Sequence, residues 1–323
     1  AYRIGDDGML DFVGLKEAPV PAPVPVPGLG GARITVVASA GDRELLLATS
    51  DGRTIPLKME FGVAFTDGRR TVTPRPEFRG PATLDPERKR PIRRVAFASP
   101  ARGPVTVAQV GARDLLVETV VEKKALIGES RKERSVQALT VETPGEITAL
   151  ELDGRAEDFF VGTSRGQVIR YALPDREAPK SVETVTVSAA GAPVTALGFL
   201  IGDRTLVVGD EGGAVSTWQV IPPPRGGERR LTRIHQFQGH AGPVVAVTAS
   251  RRDKGFSTAD GSGQILVHYG TSGKTLLSLK AGEGVPLRAI DFAPKADGLL
   301  AVDESGAVSH WQVVNPHPEI TLQ

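Results

Sequence analysis

The chain has 323 residues, 40% apolar and 24% charged, with Lys+Arg 39 against Asp+Glu 38 and no cysteine. Length and apolar content suffice for a packed core, and the near-neutral balance gives no reason to expect a nucleic-acid partner. The absence of thiols excludes a disulfide frame, thiol catalysis and thiolate metal sites, and no apolar run approaches the roughly 18 residues that a spanning helix requires.

In chain order, the first predicted element is a hairpin: Tyr2-Arg3-Ile4, a turn at Asp6-Asp7-Gly8, then Met9 to Val13. No inner strand precedes it. No initiator Met, signal peptide or lipidation box opens the chain either, so Ala1 reads as a cut end. Pro19 to Pro27 alternates Pro with Val or Ala, which predicts an extended edge segment because proline cannot donate to a ladder; a motif for a proline-reading partner is the alternative. Arg33 to Ala38, Glu44 to Ala48 and Ile55 to Phe65 predict three further strands around Gly52. Pro74 to Arg94 reads as a solvated loop holding the densest basic run, with Arg88, Lys89, Arg90, Arg93 and Arg94 as a candidate surface for an anionic partner. Lys123 to Arg134 reads as a second inserted loop.

One sentence of sequence recurs along the chain. An apolar run (Thr205 to Val208) enters Gly209-Asp210-Glu211-Gly212-Gly213, and an alternating run carrying Trp218 leaves it. Period-two alternation on either side of an Asp/Gly cluster predicts a hairpin with a positive-φ turn. The plan returns with Trp311 after Gly306, Tyr171 after Gly166, and more weakly at Gly8, Gly52, Gly111 and Gly263, where Tyr269 falls one residue late. These seven glycines are 44, 59, 55, 47, 50 and 43 residues apart. Short strands repeating at that period predict an all-β, seven-bladed β-propeller forming a single domain over residues 1–323, in which Glu319 to Leu322 complete the first blade and close the N- and C-terminal segments into one composite blade. An apolar-x-apolar beat marks inner strands at Val95-Ala96-Phe97, Leu150-Glu151-Leu152, Leu197-Gly198-Phe199 and Ile290-Asp291-Phe292.

Apparent catalytic motifs dissolve in this context. Gly162-Thr163-Ser164-Arg165-Gly166 satisfies G-x-S-x-G, but a nucleophile elbow must lead into a helix and this turn leads into a strand. Gly270-Thr271-Ser272-Gly273-Lys274-Thr275 imitates the end of a P-loop, yet His268 stands where its first glycine belongs. The histidines (235, 240, 268, 310 and 317) have no metal-ligand spacing. No catalytic residue, cofactor or metal is therefore expected.

Two resemblances add to this reading. Gly239-His240, with Trp218 and Trp311, resembles the WD40 repeat, although Gln219 and Gln312 replace its Asp; the propeller is thus WD40-like, and His240 is expected to be structural. Tyr2-Arg3-Ile4-Gly5-Asp6-Asp7-Gly8 and Asn315-Pro316-His317-Pro318-Glu319 resemble the ends of the large insertion in long-form permease subunits of the phosphate-specific ABC transporter. That resemblance implies a non-catalytic periplasmic domain of an inner-membrane protein, with residues 315–323 beginning a linker toward membrane helices. It also implies as partners a second permease, an ATPase reached through the full-length chain, and a periplasmic phosphate-binding protein. A free-standing interaction scaffold is the alternative.

Overall fold

The computed structural model describes residues 2–4, 8–12, 21–41, 43–66, 68–123, 131–224, 226–281, 285–293 and 298–312. Their strands form seven antiparallel sheets, and one short 3-10 turn, Pro174–Arg176, is the only helix among the described residues. Sheet 1 holds Tyr2–Ile4, Met9–Phe12 and Val24–Pro25; sheet 2 holds Ile34–Ser39, Glu44–Thr49, Arg53–Thr66 and Arg69–Phe78, with Ala82–Thr83 added to its third strand. Sheet 3 is Arg94–Ala98, Val105–Gln109, Asp114–Lys123 and Arg131–Thr140; sheet 4 is Ile147–Leu152, Asp158–Thr163, Gln167–Ala172 and Lys180–Thr186. Sheet 5 is Val194–Phe199, Thr205–Asp210, Val215–Ile221 and Arg230–Gln236, and sheet 6 is Val244–Ala249, Gly255–Asp260, Gln264–Tyr269 and Lys274–Lys280. Sheet 7 is Leu287–Phe292, Gly298–Asp303 and Val308–Gln312. The sheets fall into two compact units, residues 1–184 and 185–323.

Sequence dictates the position of each strand within its sheet. Second strands such as Val105–Gln109 and Thr205–Asp210 are buried along their whole length, and apart from the Gln109 and Asp210 that end them they are runs of apolar or small residues, as a strand covered on both faces requires. Fourth strands such as Lys180–Thr186 and Lys274–Lys280 are mostly exposed and carry Lys, Glu, Ser and Thr. In the first unit, side chains alternate between two neighbours. Leu46 and Ala48 of sheet 2 pack with Val95, Ala108 and Leu116 of sheet 3, whereas Leu45 and Leu47 face Leu10 and Val26 of sheet 1. Val107, Leu115 and Val117 turn the other way, onto Ile147, Phe159, Val161 and Tyr171 of sheet 4. In the second unit, Val207 and Val215 meet Val244 and Phe256, while Ala259 and Ile265 meet Leu287, Leu299 and Ala301. A one-residue slip in any strand would exchange its two packing partners, so register is tightly specified.

The four apolar-x-apolar segments all lie in first strands, and these pack side by side: those of sheets 2, 3 and 4 in one unit, those of sheets 5, 6 and 7 in the other. Sheets 2 to 7 thus each run outward from an inner strand. Among the described residues sheet 1 has none, so the expected seven blades are corrected to six. The segment expected to complete sheet 1, residues 319–322, lies outside the described residues, as do residues 315–323 as a whole.

The two inserted loops also need correction. Residues 74–78 belong to the strand Arg69–Phe78, which pairs from Leu57↔Phe78 out to Thr66↔Arg69, and residues 131–134 belong to a strand paired out to Lys123↔Arg131. The second strand of sheet 2 begins at Glu44, opposite Lys58, and that of sheet 3 begins at Val105, opposite Thr119. Beyond those points each outer hairpin continues as an arm. Residues 59–66 with 69–76, and 120–123 with 131–134, thus lengthen two hairpins, while most of residues 79–93 lie outside the strands.

Candidate functional site

The repeated turn is built by one device. Gly213 N–H donates to Asp210 C=O (3.1 Å), and Ala214 N–H donates to Asp210 Oδ1 (2.8 Å). Asp303 serves Gly306 and Ala307 in the same way (3.0 and 2.9 Å), and Asp260 serves Gly263 and Gln264 (3.2 and 3.1 Å). Thr163 and Thr49 substitute a hydroxyl, accepting from Gln167 N–H at 3.2 Å and Arg53 N–H at 3.0 Å. A side-chain acceptor three residues before the glycine satisfies the amide after it, a local bond that holds the tight turn. Gly8, Gly52, Gly166, Gly213, Gly263 and Gly306 have φ between 69° and 90°. Gly111 does not, and its assignment is corrected: Ala108 stands where the acceptor belongs, and the turn closes instead from Val110 N–H to Asp114 C=O (2.9 Å).

The aromatic position needs one correction as well. Trp218 pairs with Leu206, Trp311 with Leu299 and Tyr171 with Phe159, and the register of sheet 6 puts His268, opposite Phe256, in that place; Tyr269 is the next residue. Tyr171 stacks on Phe159 with centroids 4.9 Å apart, and Trp218 donates from Nε1 to Ser216 Oγ (2.9 Å). His268 is instead a link in a buried polar chain. Its Nε2 lies 2.9 Å from Thr258 Oγ1, which lies 2.8 Å from His240 Nε2, and His268 Nδ1 lies 3.0 Å from Thr275 Oγ1. His240 Nδ1 is 3.3 Å from Asp260 Oδ2, a contact without hydrogen-bond alignment. One proton assignment satisfies the row: Thr275 donates to His268, His268 to Thr258, and Thr258 to His240, whose Nδ1–H faces the carboxylate.

Burial lowers the pKa of both imidazoles, to about 3 for His268, where the charge of His240 adds to the effect. In His240, burial outweighs the opposing pull of Asp260. Burial also works to raise the Asp260 carboxyl, but hydrogen bonds from Ser262 and the Gln264 amide carry it below its ordinary value. The acid–imidazole–hydroxyl order is that of a proton relay. Yet the His240 and Asp260 side chains are 0% and 1% exposed, so no substrate reaches them. The row ties the loop before sheet 6 to that sheet's second and third strands. Among the described residues, no group of His, Asp and Glu is arranged to hold a metal.

The basic run divides by role. Arg90 binds Asp85 (2.7 Å) and approaches Asp114 (3.5 Å), while Arg94 donates to Gln109 Oε1 (2.9 Å). Burial, then the charge of Arg93, pulls the pKa of Arg94 down. Asp85 sits below its ordinary value despite burial, because Arg90 and the Arg88 amide hydrogen-bond to it. Lys89 has a positive φ of 49°. Only Arg88, Lys89 and Arg93 are exposed. Two of the five cations are thus structural, and the loop is pinned.

Ser164 lines a surface cleft of about 430 Å³ with Arg113, Gly145, Glu146 and Arg165, and no histidine is among its lining residues. Its Oγ accepts from Glu146 N–H (3.0 Å), and its own N–H donates to Glu146 C=O (2.9 Å), so the serine fastens a turn to the chain entering sheet 4. Ser164→Ala is expected to cost about 1 kcal/mol, the net worth of such a bond, with ester hydrolysis by the preparation unchanged. A thermal melt and an activated-ester assay read both, and loss of a measurable esterase with the hydroxyl would restore the elbow reading.

Sequence reasoning read Ile55 to Phe65 as a strand but missed the partner strand that makes it the arm of sheet 2. Along it Phe61, Val63 and Phe65 alternate onto one face, joined by Val72 opposite Val63, and exposure climbs toward the tip: 41%, 51% and 73% for Phe61, Val63 and Phe65. The signal was the alternation from Met59 to Phe65; the prolines that follow disguised its partner strand.

No family model matches the chain. Among solved structures it is similar to the β-propeller domain of Cps50 (Swd1) from Myceliophteria thermophila, with 16% identity and a TM-score of 0.64 over 97% of this chain and 92% of that one. It is also similar to a chain of the mitotic checkpoint complex, with 12% identity and a TM-score of 0.58 over 88% of this chain and 76% of that one. Such identities speak to fold alone, and they show that this chain is an all-β, WD40-like propeller with almost no helix.

Proposed function

We propose that the chain is a non-catalytic interaction domain, and that in its full context it is the extracytoplasmic accessory domain of a phosphate import permease. The observation that supports interaction is the arm of sheet 2, where four large apolar side chains gather on one exposed face; contiguous apolar surface of this kind marks a docking site more often than scattered residues do. The importer reading rests on the resemblance at both ends of the sequence, of which Gly5 to Asp7 and Asn315 to Glu319 lie outside the described residues. On this reading residues 1–323 act as one domain, and the partners are the second permease, the ATPase through the full-length chain, and a periplasmic phosphate-binding protein.

Topology tests it. Ser181 is exposed on the outer strand of sheet 4, and the chain has no native cysteine. A full-length protein carrying Ser181→Cys, with any other thiols removed, is expected to react with a membrane-impermeant maleimide in cells whose outer membrane alone is permeabilised. Labelling that appears only after the inner membrane is broken would place the domain in the cytoplasm and leave the free scaffold as the better account.

A further inference from the structure

We infer that the arm of sheet 2 docks on an anionic phospholipid surface. The inference rests on the interaction reading above and names its partner, but it does not require the importer. The apolar row of Phe61, Val63, Phe65 and Val72 lies along a two-stranded projection, and from Phe61 to Phe65 its exposure increases outward. Cations flank it. Arg43 lies over the Phe61 ring at 5.8 Å and reaches Glu60 at 3.5 Å, Arg70 stands opposite Phe65 at the tip, and the Arg75 guanidinium crosses Gly62 on the reverse face. Glu60 is engaged by Lys58 (2.5 Å) as well as Arg43, and in sequence the only other acid from Glu60 to Arg75 is Asp67, against Arg69, Arg70 and Arg75.

Size decides between lipid and protein. Four side chains exposed to this degree offer on the order of 300 Å² of apolar surface, below the roughly 450 Å² that is the apolar share of the about 800 Å² per partner in a stable protein interface. An interfacial anchor needs no more than a few apolar side chains sunk about 5–10 Å into the headgroup boundary with cations at the phosphates. The outer two of the alternating residues, Val63 and Phe65, span about 7 Å, which suits that depth.

The test is sedimentation of the 323-residue chain with vesicles of phosphatidylcholine alone or with one-third phosphatidylglycerol. Binding is expected only to the anionic vesicles and is expected to weaken as salt rises. Phe65→Ser should lower partitioning about tenfold and Arg70→Gln about fivefold, with melting temperatures unchanged because both side chains are exposed. Phe65→Trp should blue-shift its emission on anionic vesicles. Absence of vesicle binding, or binding indifferent to Phe65→Ser, overturns the inference. A chain that sediments alone at twice its mass, and reverts to a monomer with Phe65→Ser, also overturns it and gives the row to a second copy. Cytoplasmic labelling of Ser181→Cys would defeat the importer and leave these vesicle results as they stand.

Discussion

Replacing Gly213 with valine is expected to destabilise the protein by about 3 kcal/mol or more, the sum of two separable costs. At φ +85° any L side chain is strained, and a Cβ there would lie 2.3 Å from His240 C=O and 2.8 Å from Gly242 C=O, both main-chain atoms that cannot swing aside. Gly111→Val is the informative comparison. Its backbone is not in the left-handed region, and the nearest obstacle is the Asp114 side chain, which can move. Urea unfolding of the two variants should show a much larger loss at Gly213. Equal losses would mean that the side-chain-capped turn is not what holds these hairpins.

Stability should also fall with acid in a window set by the two buried imidazoles. His268 is held down to about 3 and His240 below its ordinary value, so both are neutral in the fold at pH 7, whereas in the unfolded chain they take up protons near pH 6.5. The unfolded state therefore binds more protons, and stability rises with pH. The contribution is complete above about pH 6.5 and is lost as pH falls from there through the folded values, at up to about 1.4 kcal/mol per pH unit for each group. Melting temperatures between about pH 5 and 8 measure it. His268→Trp, which places an indole at the register position that Trp218 fills in sheet 5, should remove one of the two groups and flatten the slope. An unaltered slope in that variant would show that His268 does not titrate as described.

What the sequence disclosed followed from interactions between near neighbours in the chain. Asp210, Asp260 and Asp303 announce their turns because acceptor and donor lie four residues apart, and the beat at Leu197 and Phe199 located the inner strand although its buried positions are Val194 and Ala196, in the other phase. Long-range register was harder to see. His268 was passed over for Tyr269 because an imidazole at an aromatic position becomes intelligible only once Thr258 and Thr275 are known to flank it. Pro74 and Pro76 read as loop residues because a proline tolerated at a sheet margin cannot be told from one in a turn without knowing which strand lies beside it. The buried roles of Arg90 and Arg94 depend on Asp85 and Gln109, and no local pattern of charge announces them. The blade count of seven counted Gly8 with residues 319–322 supplying its inner strand, and among the described residues no strand stands there.

Pro74 and Pro76 of the outer strand have a consequence for how the arm survives at all. They face Phe61 and Met59 across the ladder, two residues apart and hence in the same orientation. A proline keeps its place in a ladder only where its nitrogen points outward, so the free margin of the sheet 2 arm lacks donors at two alternate positions. A second chain laid along that margin would find acceptors without their complementary N–H groups. The longest hairpin among the described residues, with phenylalanines on its face, is thereby protected from edge-to-edge polymerisation.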